Sequence, residues 1–132
     1  MATVRVVVVT PEKAVLDEAA ASVVLPLYDG ELGVLPGRAA FVGQVAPGVL
    51  RLTDAAGVVK RYYVDAGFAQ VRADVVNVLT AKAVPAADVT AAQATAARTA
   101  ADALPTGDPV QRATRDKALD RARGLAKVVG GV

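Results

Sequence analysis

Very few residues in this chain could do covalent chemistry. Histidine and cysteine are both absent, and Ser22 is the one serine. Hydrolysis of the Ser/His or Cys/His type is thereby excluded, together with disulfides, thiolate nucleophiles and Cys-based metal sites. With histidine go the usual general base and the commonest metal ligand. Paired carboxylates remain, and two pairs are close in sequence, Asp17 with Glu18 and Asp29 with Glu31. Neighbours at i and i+1 point to opposite faces of a strand, and the glycine-rich turn around Glu31 offers no evident pocket. An enzyme built on these carboxylates is the weakest function class the residues allow. Phosphate-loop chemistry fares no better. Gly43-Gln44-Val45-Ala46-Pro47-Gly48 has the glycine spacing, but Val49-Leu50 stand where a Lys and a Ser or Thr are required.

Charge is the other resource. Net charge is only +2, too weak by itself to imply nucleic acid. Its distribution is uneven, however. Residues 1–84 balance eight cations against eight anions, whereas Arg112, Arg115, Lys117, Arg121, Arg123 and Lys127 face only Asp116 and Asp120. Arg112–Asp116 and Asp120–Arg123 are within helical reach, pairs worth about 0.2–0.5 kcal/mol each. The surplus has no partner within its own helix. It reads either as a solvated face or as a surface for an acidic partner. No aromatic stacking platform accompanies it, so nucleic acid is not expected as a partner.

The elements that carry these residues follow two grammars. From Val4 to Thr80, short Val-, Leu- and Tyr-rich runs are separated by Thr10-Pro11, Asp29-Gly30, Pro36-Gly37, Pro47-Gly48, Asp54 to Gly57, Asp65-Ala66-Gly67 and Ala73-Asp74. Turns arriving about every 8–12 residues predict an antiparallel β-sandwich or barrel. Alternation is clearest in Val49 to Leu52 and Val71 to Leu79, and Asp54-Ala55-Ala56-Gly57 predicts a four-residue hairpin connection. All five aromatics lie in this half, so the core is expected there.

Beyond Pro85 the grammar is helical. No Gly, Pro or aromatic occurs between Ala86 and Ala103, and alanine dominates. Asp88 is the expected N-cap of a helix opening at Val89 and closed by Leu104-Pro105. After Thr106-Gly107, Asp108-Pro109-Val110-Gln111 supplies an N-cap, a proline at the first helical position and a capping-box glutamine. This second helix should reach about Val129 and stop at Gly130-Gly131. Together they predict an antiparallel hairpin, with domains at 1–84 and 85–132. Its expected apolar face is Ala92, Ala96, Ala100 and Ala103 against Ala118 and Ala122, with Val89, Leu104, Leu119 and Leu125 as larger members. Alanines bury little, and Gly124 costs about 1 kcal/mol inside a helix. The same residues fit a hairpin docked weakly enough to open and a static one.

The apolar run Val6 to Val9 is preceded by Arg5 and ended by Pro11, far short of the roughly 20 residues of a membrane helix. A soluble cytoplasmic chain is expected, with any membrane association through partners.

One stretch is more informative than the rest: Asp29-Gly30-Glu31-Leu32-Gly33-Val34-Leu35-Pro36-Gly37-Arg38-Ala39-Ala40, followed by Gln44-Val45-Ala46-Pro47-Gly48-Val49-Leu50-Arg51-Leu52. Glycines and prolines at these offsets turn the backbone sharply twice. The pattern resembles the epsilon subunit of bacterial F-type ATP synthases, over essentially the whole chain from Val4. The resemblance implies a β-sandwich followed by a helical hairpin, and a subunit that does no chemistry and needs no cofactor. It implies a central-stalk rotor part that couples the gamma subunit to the c-subunit ring in proton- or sodium-driven ATP synthesis, held peripherally at the cytoplasmic face of the bacterial inner membrane. It further implies that the C-terminal helices can extend along gamma and contact beta subunits to brake ATP hydrolysis.

Carried over, the c-ring contact falls on Tyr28, Asp29, Gly30, Glu31, Leu32 and Gly33, with the turn Pro36, Gly37 and Arg38. Glu31 would offer its carboxylate to a cation on the ring. Arg38 stands where the family often has His, so a titrating imidazole becomes a permanent cation. The basic residues of the braking helix would be Arg112, Arg115, Arg121, Arg123 and Lys127. Some relatives bind ATP through an (Ile/Leu)-Asp-x-x-Arg-Ala motif; here that register reads Val89-Thr90-Ala91-Ala92-Gln93-Ala94, and both polar anchors are lost. Tight ATP binding is not expected. A ligand- or ATP-sensing module using other residues stays open as the alternative class.

Overall fold

The computed structural model describes residues 2–130. Ten strands come first: β1 (Val4–Val9), β2 (Ala14–Ala20), β3 (Ser22–Leu27), β4 (Gly30–Val34), β5 (Phe41–Val45), β6 (Gly48–Thr53), β7 (Val59–Val64), β8 (Gly67–Arg72), β9 (Val75–Thr80) and β10 (Ala83–Pro85). A 3-10 turn (Ala86–Asp88) leads to α1 (Ala91–Asp102) and α2 (Pro109–Val129). The strands form one folded-over sheet in the order β10-β7-β6-β3-β5-β8-β9-β1-β2, with β4 paired to β3. Pairing is antiparallel except between β1 and β9.

Alternation makes the sandwich. Val4, Val6 and Val8 of β1 point inward with Val23 and Leu25 of β3, Leu50 and Leu52 of β6, Val71 of β8, and Val76 and Val78 of β9. All are buried. Where two halves of a sheet share an interior, each strand spends every second residue on the core. β6 departs from the alternation at Val49, which is buried on the outer side as well. The helical hairpin covers that side.

The turns show why their residues are needed. Ala73 and Asp74 both have positive φ (50° and 63°) in the two-residue β8–β9 hairpin, the backbone that matches strand twist. The β6–β7 connection has five residues, 54–58, rather than four, because Thr53 pairs with Val59. The Asp54 carboxylate accepts from both Ala56 and Val58 N–H, which draws Val58 into the turn.

The helices depart from the sequence-based expectation in three places. Thr90, not Asp88, caps α1: its hydroxyl accepts from Gln93 N–H at 3.1 Å, and Gln93 Oε1 accepts from Thr90 N–H at 3.0 Å. This reciprocal box satisfies two orphan donors where Asp88 would satisfy one, so the helix opens at Ala91. At α2, Asp108 accepts from Gln111 N–H as expected, but the Gln111 side chain turns to Gly107 N–H instead of closing the box. The buried face of α1 is Ala94 and Ala101, not Ala92, Ala96, Ala100 and Ala103. An all-alanine surface carries no hydrophobic contrast from which a face can be read. Leu119 and Ala122 are buried on α2 as expected, and Leu125 is half-buried. The α2 C-cap is Gly130; Gly131, expected to help stop the helix, lies outside the described residues.

Candidate functional site: an uncovered sheet face, two turns and a docked basic helix

Among the described residues no group of His, Cys, Asp and Glu could hold a metal ion, and no helix is long and apolar enough to cross a membrane. Three of the four carboxylates that could have done acid–base work, Asp17, Glu18 and Glu31, are paired on the surface. Asp17 takes a bidentate pair with Arg5 at 2.9 and 2.7 Å, and Arg5 holds its carboxyl below the usual range. Glu18 is bonded to Lys60 Nζ at 2.9 Å. Glu31 meets Arg51 at 3.1 Å. Within the chain, the cation at Glu31 is Arg51, and the Glu31 side chain stays 60% exposed.

The expected ring-contact residues separate into two groups. Tyr28 and Asp29 form the turn between β3 and β4, where Leu27 pairs with Gly30 and Gly30 has φ of 119°. Glu31, Leu32 and Gly33 run up β4. Pro36, Gly37 and Arg38 lie beyond the far end of that strand, with Gly37 N–H donating to Asp74 Oδ1 at 2.7 Å. Five strand residues place the two turns about 17 Å apart. They therefore occupy opposite ends of the sandwich.

Reading of the chain alone missed an exposed apolar row. On the outer side of β5, β8, β9 and β1, the register sets Gln44, Phe68, Leu79 and Val9 in one row and Val42, Gln70, Asn77 and Val7 in the next. Phe68, Leu79 and Val42 are 56%, 58% and 70% exposed. Beside this row a shallow, mostly apolar groove runs along Val9, Pro11, Gly67, Leu79 and Ala81. Alternation that failed to hide Phe68 and Leu79 was the available signal, since a solvated face is ordinarily polar.

The other outer side, on β6 and β7, is covered by the hairpin. Val49 and Tyr63 pack with Val89 and Val128, with Leu125 at the margin. Burial, reinforced by the Asp65 charge, pushes the Tyr63 hydroxyl far above the ordinary tyrosine range, while Arg121 opposes the shift. From α2, the buried Val128 contributes about 1.5–3 kcal/mol and the half-buried Leu125 less, before the cost of ordering. The basic residues are largely engaged. Arg121 Nε donates to Asp65 Oδ1 at 3.2 Å, Arg115 lies 3.5 Å from Asp102 of α1, and Arg123 pairs with Asp120 at 3.0 Å. Arg112 donates to the Thr106 carbonyl rather than pairing with Asp116. Lys127 lines a crevice with Gly30, Glu31 and the Pro47–Gly48 turn.

Fold and surface together define a β-sandwich with a docked helical hairpin and an exposed apolar row on the other outer side. Residues 3–86 match the family model for the ATP synthase delta/epsilon chain β-sandwich domain. The chain is 50% identical over 124 residues to the ATP synthase epsilon chain of Rhodopirellula baltica, covering 92% of this chain and 94% of that one. It is 38% identical over 94 residues to that of Granulibacter bethesdensis, covering 71% and 70%. Among solved structures it is similar to a chain of the Euglena gracilis mitochondrial ATP synthase OSCP/F1/c-ring assembly, with TM-score 0.84 and 28% identity over 96% of this chain and 81% of that one. A chain of the Tetrahymena thermophila central stalk and c-ring shares the fold, with TM-score 0.70 at 14% identity over 96% of each chain. The chain belongs to the ATP synthase delta/epsilon chain family.

Proposed function

We propose that this chain is a non-catalytic rotor subunit of an ATP synthase, held peripherally at the membrane through its complex. Its work is mechanical. The observation that carries the reading is the uncovered row Phe68, Leu79 and Val9 with Val42 beside it, on the sheet face opposite the docked hairpin. A row of large apolar side chains flanked by Gln44, Gln70 and Asn77 suits a permanent protein partner, and the gamma shaft is that partner. The Tyr28–Gly33 turn and strand then face the polar loops of the c-ring. The Pro36–Arg38 turn, at the other end of the sandwich, serves a separate contact. Replacing Phe68 by Asp should weaken gamma binding by at least tenfold, read by titration against gamma, while leaving the fold's circular dichroism unchanged. Unchanged affinity would move the gamma contact elsewhere.

The hairpin supplies regulation in this reading. Released from the sandwich, Arg112, Arg115, Arg121, Arg123 and Lys127 would face carboxylates on beta and slow ATP hydrolysis. Nucleotide does not hold the hairpin down, because Thr90 and Gln93, which occupy the motif's anchor positions, are spent on capping each other. Calorimetric titration with ATP should show no submillimolar binding; tight binding would favour the ligand-sensing class instead. The regulatory part is tested by hydrolysis in the cognate catalytic complex reassembled with the full chain or with a form ending at Asp88, which keeps β10 whole. Faster hydrolysis with the shortened form, at equal binding, is the expected result. Equal rates would leave the chain a coupling element only.

A further inference from the structure

One face of α2 meets the sandwich at three points within two helical turns. Arg121 reaches Asp65, whose side chain is only 13% exposed. Gly124 lies directly on the Pro47–Gly48 turn. A Cβ there would sit 2.7 Å from Pro47 C, 2.8 Å from Pro47 O and 2.9 Å from Gly48 N, all of them backbone atoms that cannot swing away. Near the end of the helix, Arg61 of β7 donates to the Val128 carbonyl at 3.5 Å, in the last turn of α2. The spacings agree. Seven helical residues from Arg121 to Val128 span about 10 Å, and the four residues of extended chain from Arg61 to Asp65 span about 13 Å.

From this geometry we propose that Arg121–Asp65, Gly124 and Arg61 form a latch that sets the docked position of the hairpin, and that Asp65 acts as an internal competitor for the guanidinium of Arg121. The helical glycine is then a fitted contact rather than a defect. It lets the helix axis come close enough for the ion pair to form. While docked, Arg121 is paired with Asp65, and Arg115 shares Asp102 with Arg98. An acidic surface must therefore compete with Asp65 to recruit Arg121. The proposal deepens the regulatory reading above and rests on it only for what release accomplishes; the latch itself belongs to the isolated chain.

Because the chain has no cysteine, Cys pairs introduced at exposed Ala55 and Thr106 allow fluorescent or spin labels to report docking. The parent should be closed at low salt and open progressively as salt screens the Arg121–Asp65 pair. Asp65→Asn and Arg121→Gln should each raise the open-to-closed ratio about tenfold at low salt and flatten the salt response. Gly124→Ala should open the hairpin at every salt concentration, although alanine is the better helix former. Asp17→Asn removes the same charge from a remote exposed pair and should leave the distances unchanged. For the competition, poly-aspartate at constant ionic strength should bind Asp65→Asn about tenfold more tightly than Asp17→Asn, which has the same net charge. Parent-like distances in Asp65→Asn and Arg121→Gln would overturn the latch, and equal poly-aspartate affinities would overturn the competition. Neither result depends on hydrolysis rates, so a failed latch is distinguishable from a failed brake.

Discussion

Tyr63 joins the sandwich to the hairpin, and its titration reports on both. Its hydroxyl pKa is raised first by burial and then by the Asp65 charge. Above about pH 10 an unfolded tyrosine loses its proton while the native one keeps it. The native state then holds more protons, so stability present below pH 10 is lost as pH rises. Lys60, raised by its bond to Glu18, acts in the same direction from about 10.5 upward. The urea midpoint should fall between pH 9 and 11, and Tyr63→Phe should flatten the fall in a Lys60→Gln background. An unaltered slope in that double variant would place the titration elsewhere. Gly67 is a second sensitive residue. A Cβ there would run into the Leu79 carbonyl across the β8–β9 pair, so Gly67→Ala should cost about 1–3 kcal/mol by equilibrium unfolding.

At the scale of elements, capping and turn chemistry decide where helices and hairpins begin. Thr90→Ala opens the capping box of α1 and should cost about 1 kcal/mol, seen as faster amide exchange through Ala91–Ala94 with β1 to β9 unaffected. Ala73 sits at φ 50° in the β8–β9 turn, a conformation costly for any residue with a Cβ. Ala73→Gly should raise stability by about 0.5–1 kcal/mol, measured as an upward shift in urea midpoint. The neighbouring Asp74 should stay unchanged, because its carboxylate also fastens the Pro36–Gly37 turn. Along α2, three of the expected basic residues pair with carboxylates when docked: Arg115 and Arg121 across elements, and Arg123 within the helix. The face of a basic helix is thus tied to its docking, and docking is an element-to-element property.

For the molecule as a whole, the two outer sides of the sandwich have opposite fates. One is covered by the hairpin at Val49 and Tyr63, though not at Val59, and the other leaves Phe68, Leu79 and Val42 uncovered. The main core lies entirely between Val4 and Val78. A form ending at Asp88 should therefore still unfold cooperatively, at a lower urea midpoint, because only the smaller cluster under the hairpin is lost.

Strand positions, the switch to helix beyond Pro85 and the α2 cap at Asp108 were legible in the chain because each depends on residues within a few positions of one another. Turn residues, alternation and alanine content are local quantities. The family pattern was legible for the same reason, as glycines and prolines at fixed short offsets. What stayed hidden depended on contacts between distant residues. No local pattern pairs Arg121 with Asp65, sets Gly124 against Pro47, or places Pro36–Arg38 at the opposite end of the sandwich from Tyr28–Asp29. The alanine face of α1 was unreadable because its residues are alike until a neighbour buries some of them. Phe68 and Leu79 looked like ordinary strand residues until the register set them side by side on the face the hairpin leaves open. The sequence by itself determined which elements form, since backbone preference and short-range bonding act along the chain. Tertiary structure alone decided which faces are closed and which are offered, since burial and ion pairing act across it.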